Sequence, residues 1–220
     1  EGEGDPPREL LLAAVACAAS GWALGVPVQE LREDKDYGLS CRGLGVIGVG
    51  LLALTLPGAT SLRSLSLEHS QLCGLNDMTY TDEGITKLCE GLVGSAVTSL
   101  KLIDNSLGGY YDKDHNFVAN TEGITKLSEA LKGSAVTSLN ISSNYLGFKG
   151  VAALAKGLKG NTTLRSLNLE RNRIGYGATT FAALLRETQI IHLNLRNNSF
   201  NDQSKQAVKD AADSRVTIEF

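Results

Sequence analysis

Aromatic side chains supply only 5% of this 220-residue chain, with a single tryptophan. Large globular cores are usually filled with bulky rings. A chain relying on Leu, Ala and 24 glycines therefore points to small, repeated packing units. Positive charge is not in excess either. The formal balance of −3 excludes a protein coated in basic residues, so no nucleic-acid partner is expected, although a local patch stays open. Paired cysteines are also missing. Cys17, Cys41, Cys73 and Cys89 show no C-x-x-C spacing, which argues against zinc, and four in so long a chain are too few for a secreted disulfide scaffold. The reading is buried free thiols, reduced and inert, in a reducing compartment. The cytoplasm is favoured, with an organelle reached after loss of a targeting segment as the alternative. The chain opens Glu1-Gly2-Glu3 with no initiator methionine, as a processed or trimmed protein would. Long hydrophobic runs are lacking too: the apolar stretches 10–24 and 43–59 both fall short of the ~20 residues of a spanning helix. No membrane span is predicted.

What is present is repetition. Residues 84–102 read GITKLCEGLVGSAVTSLKL and residues 123–141 read GITKLSEALKGSAVTSLNI, identical at 14 of 19 positions at an offset of 39. An internal duplication explains this. Each copy runs into the pattern L-x-x-L-x-L-x-x-N-x-L. Leu62, Leu65, Leu67 and Leu72 fit it, with Ser70 in the asparagine place. Val97, Leu100, Leu102, Asn105 and Leu107 follow, then Val136, Leu139, Ile141, Asn144 and Leu146. Leu164, Leu167, Leu169, Asn172 and Ile174 make a fourth set, and Ile190, Leu193, Leu195, Asn198 and Phe200 a fifth. Val216 and Ile218 start another, and a degenerate unit at Tyr37, Leu39 and Leu44 precedes them all.

Alternating leucines predict a short strand with one buried face. After each Leu-Gly the spacing turns helical: Val151, Leu154, Ala155 and Leu158 stand at i, i+3, i+4 and i+7. Ile85, Leu88, Cys89 and Leu92 repeat this, as do Val49, Leu52, Ala53 and Leu56, so the run 43–59 is a repeat helix and Cys89 reads as core filler. Five strands are predicted near 65–67, 100–102, 139–141, 167–169 and 193–195. Asn105, Asn144, Asn172 and Asn198 are expected to satisfy backbone groups of the turn.

The pattern resembles the leucine-rich repeat family, and in the second half of each unit its ribonuclease-inhibitor-like class, over about residues 37–220. The fold expected is α/β: a curved, right-handed solenoid with parallel strands on the concave side, helices on the convex side, and an N-terminal helical cap. Packed helices need 8–10 Å where strands need ~4.8 Å, hence the curvature. Residues 1–36 are read as the capping helix and connector, starting at Asp5-Pro6-Pro7 with Trp22 as its plug. Residues 37–220 are read as about six repeats plus a terminal strand. Ribonuclease inhibition itself is not expected, because that protein is cysteine-rich.

Two neighbouring units are over-long. Successive sixth-place residues Leu39, Leu67, Leu102, Ile141, Leu169, Leu195 and Ile218 are separated by 28, 35, 39, 28, 26 and 23. The excess falls in loops 73–83 and 108–122, which should project side by side from one rim. They carry Tyr80, Tyr110, Tyr111, His115 and Phe117, with Asp112 and Asp114 between. Exposed aromatics on a rigid scaffold suit a binding surface; the alternative is that the loops fold back on their own rim. Charge is uneven as well: residues 1–122 carry 8 basic and 17 acidic side chains (net −9), residues 123–220 carry 13 and 7 (net +6).

No catalytic constellation emerges. Asp112-Lys-Asp114-His-Asn116 opens like a calcium loop, but Phe117 and Gly123 stand where that motif needs Gly and Glu. The serines 64, 99, 138 and 166 recur with the repeat, so their role is geometric. No cofactor or metal is expected. The function read is a non-catalytic protein-interaction module using the strand face and the enlarged loops, with another protein as partner. The strand face offers Ser66, Lys101, Asn140, Asn168, Asn194 and Thr217, flanked by Glu68, His69, Asp104, Arg171 and Arg196. One alternative is a structural or accessory subunit of a large assembly. Another, implied by related solenoids, is a GTPase-activating regulator, for which Arg42 or Arg32 is the candidate arginine. Shortening loop 108–122 to the length of 145–149 is expected to leave the fold standing and abolish binding.

Overall fold

The computed structural model describes residues 37–220 apart from positions 43, 61, 77–78 and 176–177. The expected capping helix, Cys17, Trp22 and Arg32 lie outside the described residues. Strand β1 (Tyr37–Arg42) leads to helix α1 (Gly45–Thr55) and β2 (Leu62–Glu68). Hairpin β3 (Gly74–Asn76) and β4 (Thr79–Thr81) precedes α2 (Glu83–Leu92) and β5 (Ser99–Lys101). A second hairpin, β6 (Gly109–Tyr111) and β7 (Phe117–Ala119), precedes α3 (Glu122–Ala130) and β8 (Ser138–Asn140). Then come α4 (Gly147–Leu158), β9 (Ser166–Asn168), α5 (Ala178–Glu187), β10 (His192–Asn194), α6 (Asp202–Ala211) and β11 (Thr217–Glu219).

Seven strands form one sheet in the order β1-β2-β5-β8-β9-β10-β11, every pair parallel. The five expected strand segments all lie in it, with bounds set about one residue earlier in β5 and β8–β10. Pairing nonetheless carries into the sixth place, since the N–H of Leu102 donates to Asn140 O at 2.8 Å and that of Ile141 to Asn168 O at 3.0 Å. Leu65, Leu100, Leu139, Leu167, Leu193 and Ile218 stack in register. All but Ile218, which is partly covered, are fully buried. Ile218 thus matches Leu193, two places from where the hydrophobic count had set it. In consequence Glu219, not Thr217, continues the row of Asn194.

Each helix turns one apolar stripe inward. Ile85, Leu88 and Leu92 on α2, Ile124 and Leu127 on α3, and Val151, Leu154 and Leu158 on α4 are wholly buried, in one cluster with the strand leucines. At roughly 1.5–3 kcal/mol per buried aliphatic side chain, this cluster is the main driving force for stacking one unit on the next. The run 43–59 is accounted for by α1, whose Val49, Leu52 and Ala53 are buried, and the tight turn after it that buries Leu56. Cys89 sits at the margin of the α2 stripe, partly covered, rather than inside it. Among the described residues no helix is long and apolar enough to cross a membrane.

Behind the sheet edge β2, β5, β8, β9 and β10 each end in the same turn. Two left-handed residues flank the asparagine place: His69 and Gln71, Asp104 and Ser106, Ser143 and Tyr145, Arg171 and Arg173, Asn197 and Ser199 all have φ between 51° and 58°. Non-glycine residues adopt this region at a cost of about 1–2 kcal/mol. The central asparagines offset it by welding neighbouring turns together. Asn144 Oδ1 accepts from Asn105 N at 2.9 Å and Leu107 N at 3.3 Å, while its Nδ2 donates to Leu102 O at 2.7 Å and Ser142 O at 3.0 Å. Asn105, Asn172 and Asn198 do the same one unit away. Ser70, in the first such place, donates its N–H to Asn105 Oδ1 and its hydroxyl to Glu68 O at 3.3 Å.

Candidate functional site

The outward rows of the sheet run from β2 to β10, and rim turns of neighbouring repeats line clefts beside the second hairpin. On the sheet, Lys101 is exposed and Asn140, Asn168 and Asn194 are half-buried, one per strand in register. Each of the three asparagines already uses its side-chain carbonyl: Oδ1 accepts from Ser142 N at 3.0 Å, Glu170 N at 2.9 Å and Arg196 N at 3.0 Å respectively. The amide N–H groups are what they present outward. Ser66 departs from the expectation. It is 8% exposed, covered rather than open.

Along the rim, His69 Nδ1 lies 2.9 Å from Asp104 Oδ2, Arg171 Nε 3.7 Å from Glu170, and Arg196 Nη1 3.5 Å from Glu219. Exposed pairs of this kind contribute about 0–1 kcal/mol. Their interest is positional, because they hold Asp104 and Arg196 in place along the rim. Glu68 is half-buried beside Ser66, whose hydroxyl lies 3.5 Å from its carboxylate.

The hairpins stand side by side, joined by a stack of Tyr80 on Tyr110 with centroids 5.2 Å apart. Tyr80, expected among the partner-binding loop residues, is half-buried, as is Tyr110. The Tyr80 ring packs on the core, and its hydroxyl is buried beside the Cys73 thiol. Burial raises the pKa of that phenol, and it pushes the Cys73 thiol up to about 12. Cys89 is likewise pushed up to about 12 by desolvation, and both thiols are free. The side chain of Cys41 lies outside the described residues, as does that of Arg42.

The second hairpin divides its aromatics between packing and solvent. Tyr111 touches Phe117 and Tyr145 edge-on, at 5.6 and 5.8 Å, and remains 40% exposed; Phe117 is 41% exposed. Arg173 reaches over both tyrosines, 5.7 Å from the Tyr111 ring and 5.0 Å from Tyr145, and donates to the Tyr111 hydroxyl. The hairpin is thereby fastened across two repeats. A cleft of about 470 Å³ opens beneath it, walled by Gln71, Asp104, Ser106, Tyr110, Tyr111 and Tyr145 among others.

At the tip, Asp112 Oδ1 accepts from Asp114 N at 2.9 Å and Asn116 N at 2.8 Å, with His115 at φ 60°. Its carboxylate holds the turn, which is the role the calcium-like spacing serves here. Among the described residues no group of three His, Cys, Asp or Glu side chains could hold a metal. Asp114 and His115 are exposed at the tip.

Sequence reasoning missed the second rim column, in which Gln71, Ser106, Tyr145 and Ser199 stand with Arg173. The signal was available: each stands one place after the asparagine position of its repeat. The left-handed turns bring Gln71, Ser106 and Tyr145 into the cleft beneath the second hairpin and Arg173 over Tyr111.

A family model described as Leucine Rich repeat matches residues 160–177, which hold β9 and the Asn172 turn. No curated protein matches the chain significantly. Among solved structures, the actin-binding site 2 of leiomodin-1 is similar at 22% identity and a TM-score of 0.45, over 63% of this chain and 77% of that one. The matched repeat, and the strand–turn–helix unit that recurs through the fold, support a leucine-rich repeat protein.

Proposed function

We propose that the chain is a non-catalytic protein-interaction module, folded as a curved right-handed solenoid of the ribonuclease-inhibitor-like class. Sequential parallel strands, each followed by a helix, support the solenoid. The partner surface in this reading is the outward sheet face together with the rim turns and both hairpins. One observation carries it: Tyr111 and Phe117 stand about two-fifths exposed on a hairpin held rigid by Tyr145 and Arg173. Aromatics that are fixed yet open give contact area at little ordering cost, which is the character of interface anchors. The polar asparagine–lysine row beside them supplies hydrogen bonds for orientation. Capturing the partner with the wild-type chain and with Tyr111→Ala plus Phe117→Ala tests this. The double variant should lose the partner while keeping its circular dichroism; unchanged capture would refute the hairpin's role.

A second reading, an accessory subunit of a large assembly, is favoured by the helical side. There Leu54 is 77% and Val93 52% exposed, and a groove of about 420 Å³ runs between α1 and α2 past Leu54 and Pro57. In that reading contacts made by Leu54 would hold the chain in a complex, and Leu54→Ser would release it.

A further inference from the structure

Behind the second hairpin the rim turns form another cleft, about 380 Å³, lined by Asp104, Ser143, Tyr145, Arg171, Arg173 and Asn197. We propose that this cleft binds a carboxylate side chain from an acidic segment of the protein partner, with Arg173 and Arg171 as the recognising groups. The proposal rests on the rim being partner surface and adds the partner's chemistry. Arg173 is fixed before any ligand arrives: its guanidinium lies over Tyr145 and Tyr111, and one nitrogen donates to the Tyr111 hydroxyl. A guanidinium carries five N–H donors in a planar fork, so donors remain to meet both oxygens of a carboxylate. Pre-ordering a long side chain removes much of the entropy that binding would otherwise cost.

Arg171 stands beside it with its side chain 69% exposed, and Glu170 at 3.7 Å is beyond a good hydrogen bond. Glu170 instead accepts from Asn197 Nδ2 at 2.9 Å. The acid in the cleft wall, Asp104, is held by His69 at 2.9 Å. Among the lining side chains two arginines face one carboxylate, Asp104, and Glu170 lies just outside at 3.7 Å from Arg171, so the site holds no excess cationic charge to match a phosphate dianion. A monoanion meeting the remaining Arg173 donors suits it better. Lysine would supply charge without the fork, so the arginine pair is specific to planar recognition. With Asp112 and Asp114 on the neighbouring hairpin, the rim presents opposite charges in a fixed order, which sets the direction in which a partner segment lies.

Fluorescence anisotropy of the full chain with fluorescein-labelled hexaglutamate tests this. Wild type should bind, and Arg171→Ser with Arg173→Ser should weaken binding at least about tenfold, the loss of roughly one charge-assisted contact. Arg165→Ser, an exposed arginine outside the cleft, should change nothing. Should the double variant unfold, Arg173→Lys and Tyr111→Phe serve in its place, each expected to weaken binding severalfold. No binding by wild type, equal loss in Arg165→Ser, or tighter binding of a hexaphosphoserine peptide would overturn the proposal. Partner capture by the Tyr111/Phe117 variants reads the rim surface separately, so either claim can fail alone.

Discussion

Asn144 is held by four polar contacts with the backbone, all inside the protein. Replacing it by alanine strands two N–H groups and two carbonyls away from water, each costing about 1–3 kcal/mol where no relaxation helps. Asn144→Ala should therefore lower stability by about 3 kcal/mol or more, read from the urea midpoint. A loss under about 0.5 kcal/mol, the range of surface changes, would mean the asparagines do not join the repeats. Sequence alone assigned these asparagines to the turn, because a buried amide there has few other uses. It could not show that their partners lie in the neighbouring repeat, since periodicity describes one unit and not how two meet. The thiols follow the same logic. Cys73 and Cys89 have pKa values raised to about 12 by desolvation, above the unfolded thiol. A raised thiol pKa stabilises the fold fully below about pH 8.5 and fades as pH climbs from there towards 12. At pH 8 both should resist a disulfide reagent until urea is added. The gap in urea midpoint between wild type and Cys73→Ala should narrow between about pH 9 and 11; a gap that widens would contradict burial as the cause.

Element by element, the strands and helices were legible because hydrophobic period two and period 3.6 are local signals. The hairpins were not. Loops 73–83 and 108–122 were seen as insertions, but their pairing into β3–β4 and β6–β7 depends on tertiary contacts such as Tyr80 on Tyr110. Those same contacts decide which aromatics stay open: Tyr80 is taken into packing, whereas Tyr111 and Phe117 keep exposed faces. The helices meet closely enough that glycine matters at two crossings, Gly91 of α2 on α1 and Gly157 of α4 on Ser128 of α3, the first of them against backbone. A Cβ on Gly91 of α2 would overlap the carbonyl oxygen and Cα of Ala53 in α1. On Gly133 it would meet only Val93 methyl groups at 3.8 Å, ordinary contact. Gly91→Ala should accordingly cost about 1–3 kcal/mol or more, by overpacking backbone that cannot move aside. Gly133→Ala should be near neutral, and thermal melts of the two give the comparison. Equal melting temperatures would show that α1 and α2 are farther apart than described.

Across the described part of the molecule, residues 37–122 carry 5 basic and 9 acidic side chains (net −4) and residues 123–220 carry 13 and 7 (net +6), so the charge is graded along the order of the strands. Association with the partner should therefore slow as salt rises, mainly through its on-rate, because steering by exposed charges is screened beyond about 8 Å at physiological ionic strength. Surface plasmon resonance between low and high salt reads this, and an on-rate independent of salt would remove charge steering from the account. Which face a partner covers is the central matter, and hydrogen–deuterium exchange of the chain with and without its captured partner addresses it directly. Protection is predicted in hairpin 109–119, in the turns around Asn144 and Asn172, and along β5, β8 and β9. Protection confined to α1, α2 and the groove beside Leu54, with the hairpin exchanging as freely as before, would contradict the account.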